Sequence, residues 1–124
     1  MSSDRDLSIL VVEDDEMCLD VTRSILRLAG FDVITARNFY EAIDHIEKGA
    51  KIDIAIVDVI MPPGTPHGLS FAQMARERRP SLKVIFMSAN INPKGYALYG
   101  KNEAFLCKPF APDLLLEVVT RTAA

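Results

Sequence analysis

The sequence predicts an α/β domain in which five β–α units build a doubly wound, five-stranded parallel sheet with five helices. Short apolar runs alternate with segments of helical spacing along all 124 residues. These runs are apolar at nearly every position, the mark of strands covered on both faces. No linker, repeat or low-complexity stretch interrupts the alternation, so residues 1–124 read as one domain, with its elements over about 7–123. Parallel neighbours need right-handed crossovers, which the intervening helices supply.

Each element has its own signal. "LSILVV" (7–12) is a run of strand length. "EMCLDVTRSILRLAG" (16–30) spaces Cys18, Val21, Ile25 and Leu28 by three and four, which predicts one inward helix face closed by Gly30. "FDVITA" (31–36) reads as the second strand. "NFYEAIDHIEKG" (38–49) reads as a helix capped by Asn38, with Phe39, Ala42, Ile43 and Ile46 facing inward. "DIAIVDV" (53–59), "LSFAQMARER" (69–78) and "LKVIFMS" (82–88) give strand three, helix three and strand four. "NPKGYALYG" (92–100) is a weak helix at best, because Pro93, Gly95 and Gly100 lower its propensity. "EAFLCK" (103–108) is the fifth strand. "APDLLLEVVTRTA" (111–123) is the last helix, with Pro112 in its first turn, where the missing N–H costs nothing.

Composition narrows the function. Apolar residues make up 49 % of the chain, enough for one continuous core, and the net charge is −3. No lysine/arginine stripe offers a nucleic-acid groove. The densest basic stretch, Arg76, Arg78 and Arg79, falls at a helix end, where cations suit the dipole. No apolar run approaches the roughly 20 residues of a membrane span. The start, Met1-Ser2-Ser3, reads as a natural amino terminus without a signal peptide. Cys18 and Cys107 sit in apolar patterns without zinc-site spacing, so both read as small core residues of a reduced, cytoplasmic protein.

In such a sheet ligands bind beyond the carboxyl ends of the strands, and the polar residues crowd there. Strand one ends in Glu13, Asp14, Asp15 and Glu16, strand three at Asp58, strand four at Ser88, and strand five at Lys108-Pro109. Carboxylates about 4 Å apart repel by on the order of 4 kcal/mol per pair at an effective dielectric near 20. A hard divalent cation with oxygen ligands relieves this, and magnesium suits one or two carboxylates plus phosphate oxygens. Lys108 then offers an ammonium to an incoming anion and Ser88 a hydroxyl. Asp58, charged in an otherwise apolar strand, is the best nucleophile for phosphoryl transfer to a carboxylate. Asp14 is assigned to direct coordination and Glu13 to support, while Asp15 and Glu16 read as acidic residues favouring a helix start.

"ILVVEDDE", "IAIVDVIMP", "VIFMSA" and "FLCKPF" resemble, in order and spacing, the receiver domain of two-component response regulators. The resemblance covers nearly the whole chain and implies the flavodoxin-like receiver fold with strand order 2-1-3-4-5. It implies Asp58 as phosphoacceptor from a sensor histidine kinase or a histidine phosphotransfer protein. It implies Glu13, Asp14, Asp58 and the backbone carbonyl of Ile60 around Mg²⁺, with Mn²⁺ as an alternative ion. Ser88 matches the switch hydroxyl, Lys108 the phosphate-contacting lysine, Phe105 the aromatic switch position, and Lys108-Pro109 a bond the family usually holds cis. Three features depart from the family. Glu13 replaces the commoner aspartate, "MPPGTPHGL" lengthens the loop after strand three, and the fourth helix is atypical. Phe105 also lacks the phenolic hydroxyl of the frequent tyrosine.

The rival readings are weaker. A nucleotide-binding fold needs a glycine-rich turn where this chain has "EDDE". A metal-dependent phosphatase usually wants a second aspartate two residues after its nucleophile, where this chain has Ile60. A receiver-like module that only binds is disfavoured because every reactive position is filled. The expected protein is therefore not an enzyme with a separate substrate. It would act through a downstream protein target, without direct nucleic-acid or membrane contact, either alone or as part of a longer regulator. By family analogy its fifth-helix and fourth-strand faces are candidates for a homodimer contact.

Overall fold

The computed structural model describes residues 7–59, 68–89, 96–98 and 102–124. In chain order the elements are β1 (Ser8–Val12), α1 (Glu16–Leu28), β2 (Asp32–Ala36), α2 (Phe39–Glu47), β3 (Ile54–Asp58), α3 (Gly68–Arg78), β4 (Lys83–Ser88), β5 (Tyr96–Leu98), β6 (Glu103–Cys107) and α4 (Pro112–Ala123). The sheet order is β2-β1-β3-β4-β6-β5. All neighbours pair in parallel except β5, which runs antiparallel to β6. The five strands read from the sequence thus lie in the expected order 2-1-3-4-5.

The strands alternate between two cores. Leu10, Val12, Ala55, Val57, Val84 and Phe86 point to the layer built by α2 and α3, where Phe39 and Phe71 stack at 5.2 Å. Ile9, Val11, Ile54, Ile56, Ile85 and Met87 meet Leu19 and Leu26 of α1 and Leu115 and Val118 of α4. Both faces of the sheet are covered, which is why the strand sequences are apolar without alternation. Asn38 caps α2 by accepting from the Glu41 N–H at 2.9 Å, as expected of an N-cap asparagine.

Several expectations are corrected. The inward side of α1 is Leu19, Thr22 and Leu26; Val21 is 51 % exposed and Leu28 90 % exposed, with Cys18 and Ile25 at the margin. Two apolar stripes with three/four spacing run along this helix, and Thr22 disguised the inner one. Residues 96–98, expected within a weak helix, are strand β5; Pro93, Gly95 and Gly100 disfavour a helix, and the free edge of β6 supplies backbone partners. Four helices are present among the described residues; 92–95 and 99–100, the rest of the expected fourth helix, lie outside them. Finally, Cys18 and Cys107 are only half-buried rather than core residues. Ile43 of α2 likewise lies at the edge of its core.

The arginines at the end of α3 tie elements together. Arg79 donates to the carbonyls of Ile46 and Ala50 at the end of α2, and Arg76 pairs with Glu103 of β6. Gly68 brings the start of α3 onto the end of β3. Its N–H donates to the Val59 carbonyl at 3.2 Å, and a Cβ there would lie 2.6 Å from the Asp58 carbonyl oxygen and 2.9 Å from Val59 Cα. Both obstacles are backbone atoms. Gly68→Ala is therefore expected to destabilise the domain by about 2 kcal/mol, measured as a lower urea midpoint. An unchanged midpoint would show that α3 can back away freely.

Candidate functional site

The carboxyl ends of β1, β3, β4 and β6 meet at one edge of the sheet. The ladder continues just beyond them through Glu13 N–H to Ala36 O at 3.0 Å, Val59 N–H to Met87 O at 2.9 Å, and Lys108 N–H to Ser88 O at 2.9 Å. These bonds bring Glu13, Asp58, Ser88 and Lys108 to one end of the sheet, and all but Lys108 are buried. Asp14 lies beside them on the solvent side.

Glu13, Asp14 and Asp58 each present a carboxylate oxygen within 4.8 Å of the others. Set against them is the Lys108 ammonium, in direct contact with Glu13 Oε1 and 3.4 Å from Asp58 Oδ2. The Glu13 side chain is only 1 % exposed, against 21 % for Lys108. Its other oxygen accepts from the Asp15 N–H at 3.3 Å. Burial alone would push the lysine down, but the hydrogen bond and charge of Glu13, followed by Asp58, hold it above its ordinary value. Among the described residues, one ammonium with three carboxylates leaves a net negative site whose carboxylate oxygens fit a hard divalent cation. Lys108, expected to contact phosphate, here lies chiefly against Glu13.

The other acids at this edge have structural work. Asp15 is the N-cap of α1, accepting from Met17 N–H at 3.0 Å and Cys18 N–H at 3.2 Å. Glu16 pairs with Arg37 of the β2–α2 turn at 2.7 Å. Phe105 packs half-buried against Phe86, ring centres 5.1 Å apart. The Lys108–Pro109 bond is cis, as the resemblance implied. Ile60 and most of the lengthened loop lie outside the described residues, as does His67; His45 rests its Nε2 on the Thr35 carbonyl at 3.1 Å.

Cys18 is a neighbour that sequence reasoning missed. Burial first, then the adjacent Glu13 carboxylate, push its thiol up to about 11 from 9.0. Only its position one turn into the helix after the acidic pair could have signalled this. The folded chain keeps this proton where the unfolded chain loses it, so the associated stability is complete below pH 9 and is lost as pH rises towards 11. The thiol is half-exposed, so screening limits the effect to about 1 kcal/mol. Cys18→Ala is expected to flatten that alkaline decline in urea titrations between pH 8.5 and about 11.

Comparison with known proteins agrees with this architecture. A model of the response regulator receiver domain matches residues 9–120. The chain is 33 % identical over 124 residues to Response regulator Rre1 of Synechocystis sp., covering 95 % of this chain and 52 % of that protein. It is 31 % identical over 128 residues to Transcription factor SKN7 of Chaetomium thermophilum, covering 100 % of this chain but 16 % of that protein. A response regulator receiver protein from Sinorhizobium medicae superposes with a TM-score of 0.80 at 26 % identity, covering 98 % of this chain and 97 % of that one. The chain thus spans between about a sixth and a half of these two curated relatives. No helix among the described residues is long and apolar enough to cross a membrane. With its five parallel strands in the order 2-1-3-4-5 and an acidic cluster at their carboxyl ends, the chain belongs to the receiver domain family of two-component response regulators.

Proposed function

We propose that residues 1–124 act as one receiver unit that takes a phosphoryl group from a phosphohistidine onto Asp58 and thereby resets a protein-binding surface. The observation that carries this reading is the setting of Asp58. It is a nearly buried carboxylate ending an apolar strand, with an ammonium 3.4 Å away and two more carboxylates within 4.8 Å. A carboxylate so placed has no packing role that an apolar residue would not fill better.

In the transfer, an Asp58 oxygen attacks phosphorus, the phosphorus–nitrogen bond breaks, and the imidazole nitrogen keeps the electron pair. Asp14 and Asp58 would hold Mg²⁺ or Mn²⁺ directly, with Glu13 in support and the Ile60 carbonyl as a further ligand. Such an ion, when bound, neutralises charge on the transferring oxygens. Lys108 supplies a second positive centre and Ser88 a hydroxyl donor. The new acyl phosphate draws both towards it and lets the half-buried Phe105 turn fully inward.

The donor would be a sensor histidine kinase or a histidine phosphotransfer protein. Beside the site a groove of about 450 Å³ runs between Met17 and Val21 of α1 and Pro109 and Phe110. These exposed apolar α1 residues suit a helix carrying the phosphohistidine. The receiver would work in the cytoplasm, turn over no separate substrate, and pass its state to a downstream protein.

Incubation with acetyl phosphate and Mg²⁺ tests the reading. Intact-mass analysis is expected to show one phosphoryl group per chain, lost on chelation of Mg²⁺ before mixing and absent from Asp58→Asn. Equal incorporation by Asp58→Asn would refute it. Continued phosphate release far beyond one equivalent would point instead to an enzyme.

A further inference from the structure

Away from the acidic edge, α2 and α3 leave a second groove. Its floor is the stacked Phe39–Phe71 pair, its walls are Ile43 and Met74, and Tyr40 stands over it. Tyr40 is 68 % exposed and Met74 40 %, so two large apolar side chains face solvent around an aromatic floor. The cavity is about 260 Å³. That is below the roughly 300 Å³ at which small-molecule pockets begin, and is of a size for one protein side chain.

The charge at its rim has one sign. Asp44 and Glu47 line the groove, and among the described residues no cation does. Asp44 is paired with Lys48 at 2.8 Å, whereas Glu47 has no ion-pair partner among the described residues. A visitor offering a lysine or arginine beside its apolar anchor would complete that rim.

The same helix reaches the acidic site. α3 starts at Gly68, whose N–H is bonded to the Val59 carbonyl and which sits so close to the Asp58 carbonyl that a Cβ would meet its oxygen at 2.6 Å. Phe71 and Met74 follow on the next turns. A shift of the Asp58–Val59 peptide therefore moves the groove wall, because α3 is an 11-residue rigid rod.

We propose that this α2–α3 groove seats a basic amphipathic segment of a downstream protein through one large apolar side chain, and that α3 relays the state of Asp58 to it. The relay rests on the phosphoacceptor reading above; the seating does not.

The test titrates isotope-labelled chain with a helical peptide carrying one leucine or phenylalanine anchor flanked by lysines, and with its glutamate-flanked twin. The lysine peptide is expected to shift the amides of residues 40–47 and 71–74. Tyr40→Ala and Glu47→Lys should each weaken it about tenfold. Treatment with acetyl phosphate and Mg²⁺ should change the affinity about fivefold. No binding, equal binding of the glutamate twin, or shifts centred on α1 would overturn the seating. A concentration-dependent dimer abolished by Tyr40→Ala would name a second copy as occupant and overturn it too. Unchanged affinity in a chain that has taken up phosphate overturns the relay, whereas failure to take up phosphate counts against the Asp58 reading instead.

Discussion

Lys108→Ala is expected to destabilise the domain by about 3 kcal/mol, a fall in melting temperature on the order of 10 °C. The reason is Glu13. Its side chain is almost wholly out of water and touches the ammonium directly, so removing the lysine strands a buried carboxylate with the uncharged Asp15 N–H and Cys18 thiol, but no other cation among the described residues, to answer it. The loss should be specific to stranding one partner. Glu13→Gln/Lys108→Met, which removes both charges, is expected to stay within about 1 kcal/mol of the parent. Because Lys108 is held above its ordinary value, the lysine's share of this stability is complete below about pH 10.4 and falls as pH rises through the folded value. Chemical denaturation at pH 7 measures both variants. A single variant as stable as the parent would mean that Glu13 escapes to solvent, contrary to its packing.

Magnesium should act in the opposite direction. At about a hundred times its dissociation constant, an ion bound only by the folded chain adds about 2.7 kcal/mol, on the order of 10 °C for a domain of this size. The site gives a reason for such binding, since three carboxylates within 4.8 Å share one ammonium. Sodium chloride at equal ionic strength, which only screens, should give a small part of this rise. Asp14→Asn should reduce it to a few degrees, because Asp14 is the exposed acid of the cluster and the one without the lysine against it. Melting curves with and without Mg²⁺ decide the matter; identical curves would remove the cation from the account.

Much of this fold was legible because buried parallel strands carry their own signature. Runs such as Ile54–Val57 and Val84–Met87 are apolar throughout and fully or almost fully buried, so composition alone located them. Polar residues placed at the ends of those runs located the site edge, since only there can a charge meet water. What could not be read was orientation that depends on a partner. The phase of α1 is set by the sheet it packs on, and a stripe containing Thr22 looks less apolar than one containing Val21 and Leu28. The Lys108–Glu13 contact joins residues 95 positions apart, and Gly68 owes its place to the backbone of Asp58 and Val59. No local pattern encodes either. The strand at 96–98 exists because β6 offered an edge, a long-range fact that glycine and proline content hinted at only by discouraging a helix.

That short reverse strand has a consequence for Phe105. Its backbone sits opposite Phe86 on one side and Ala97 on the other. The residue is therefore interior to the ladder, and its main chain is clamped from left and right. Whatever swing the ring executes has to come from torsion about its own side-chain bonds, so amide deuteration at Phe105 should be slow even while its ring reorients.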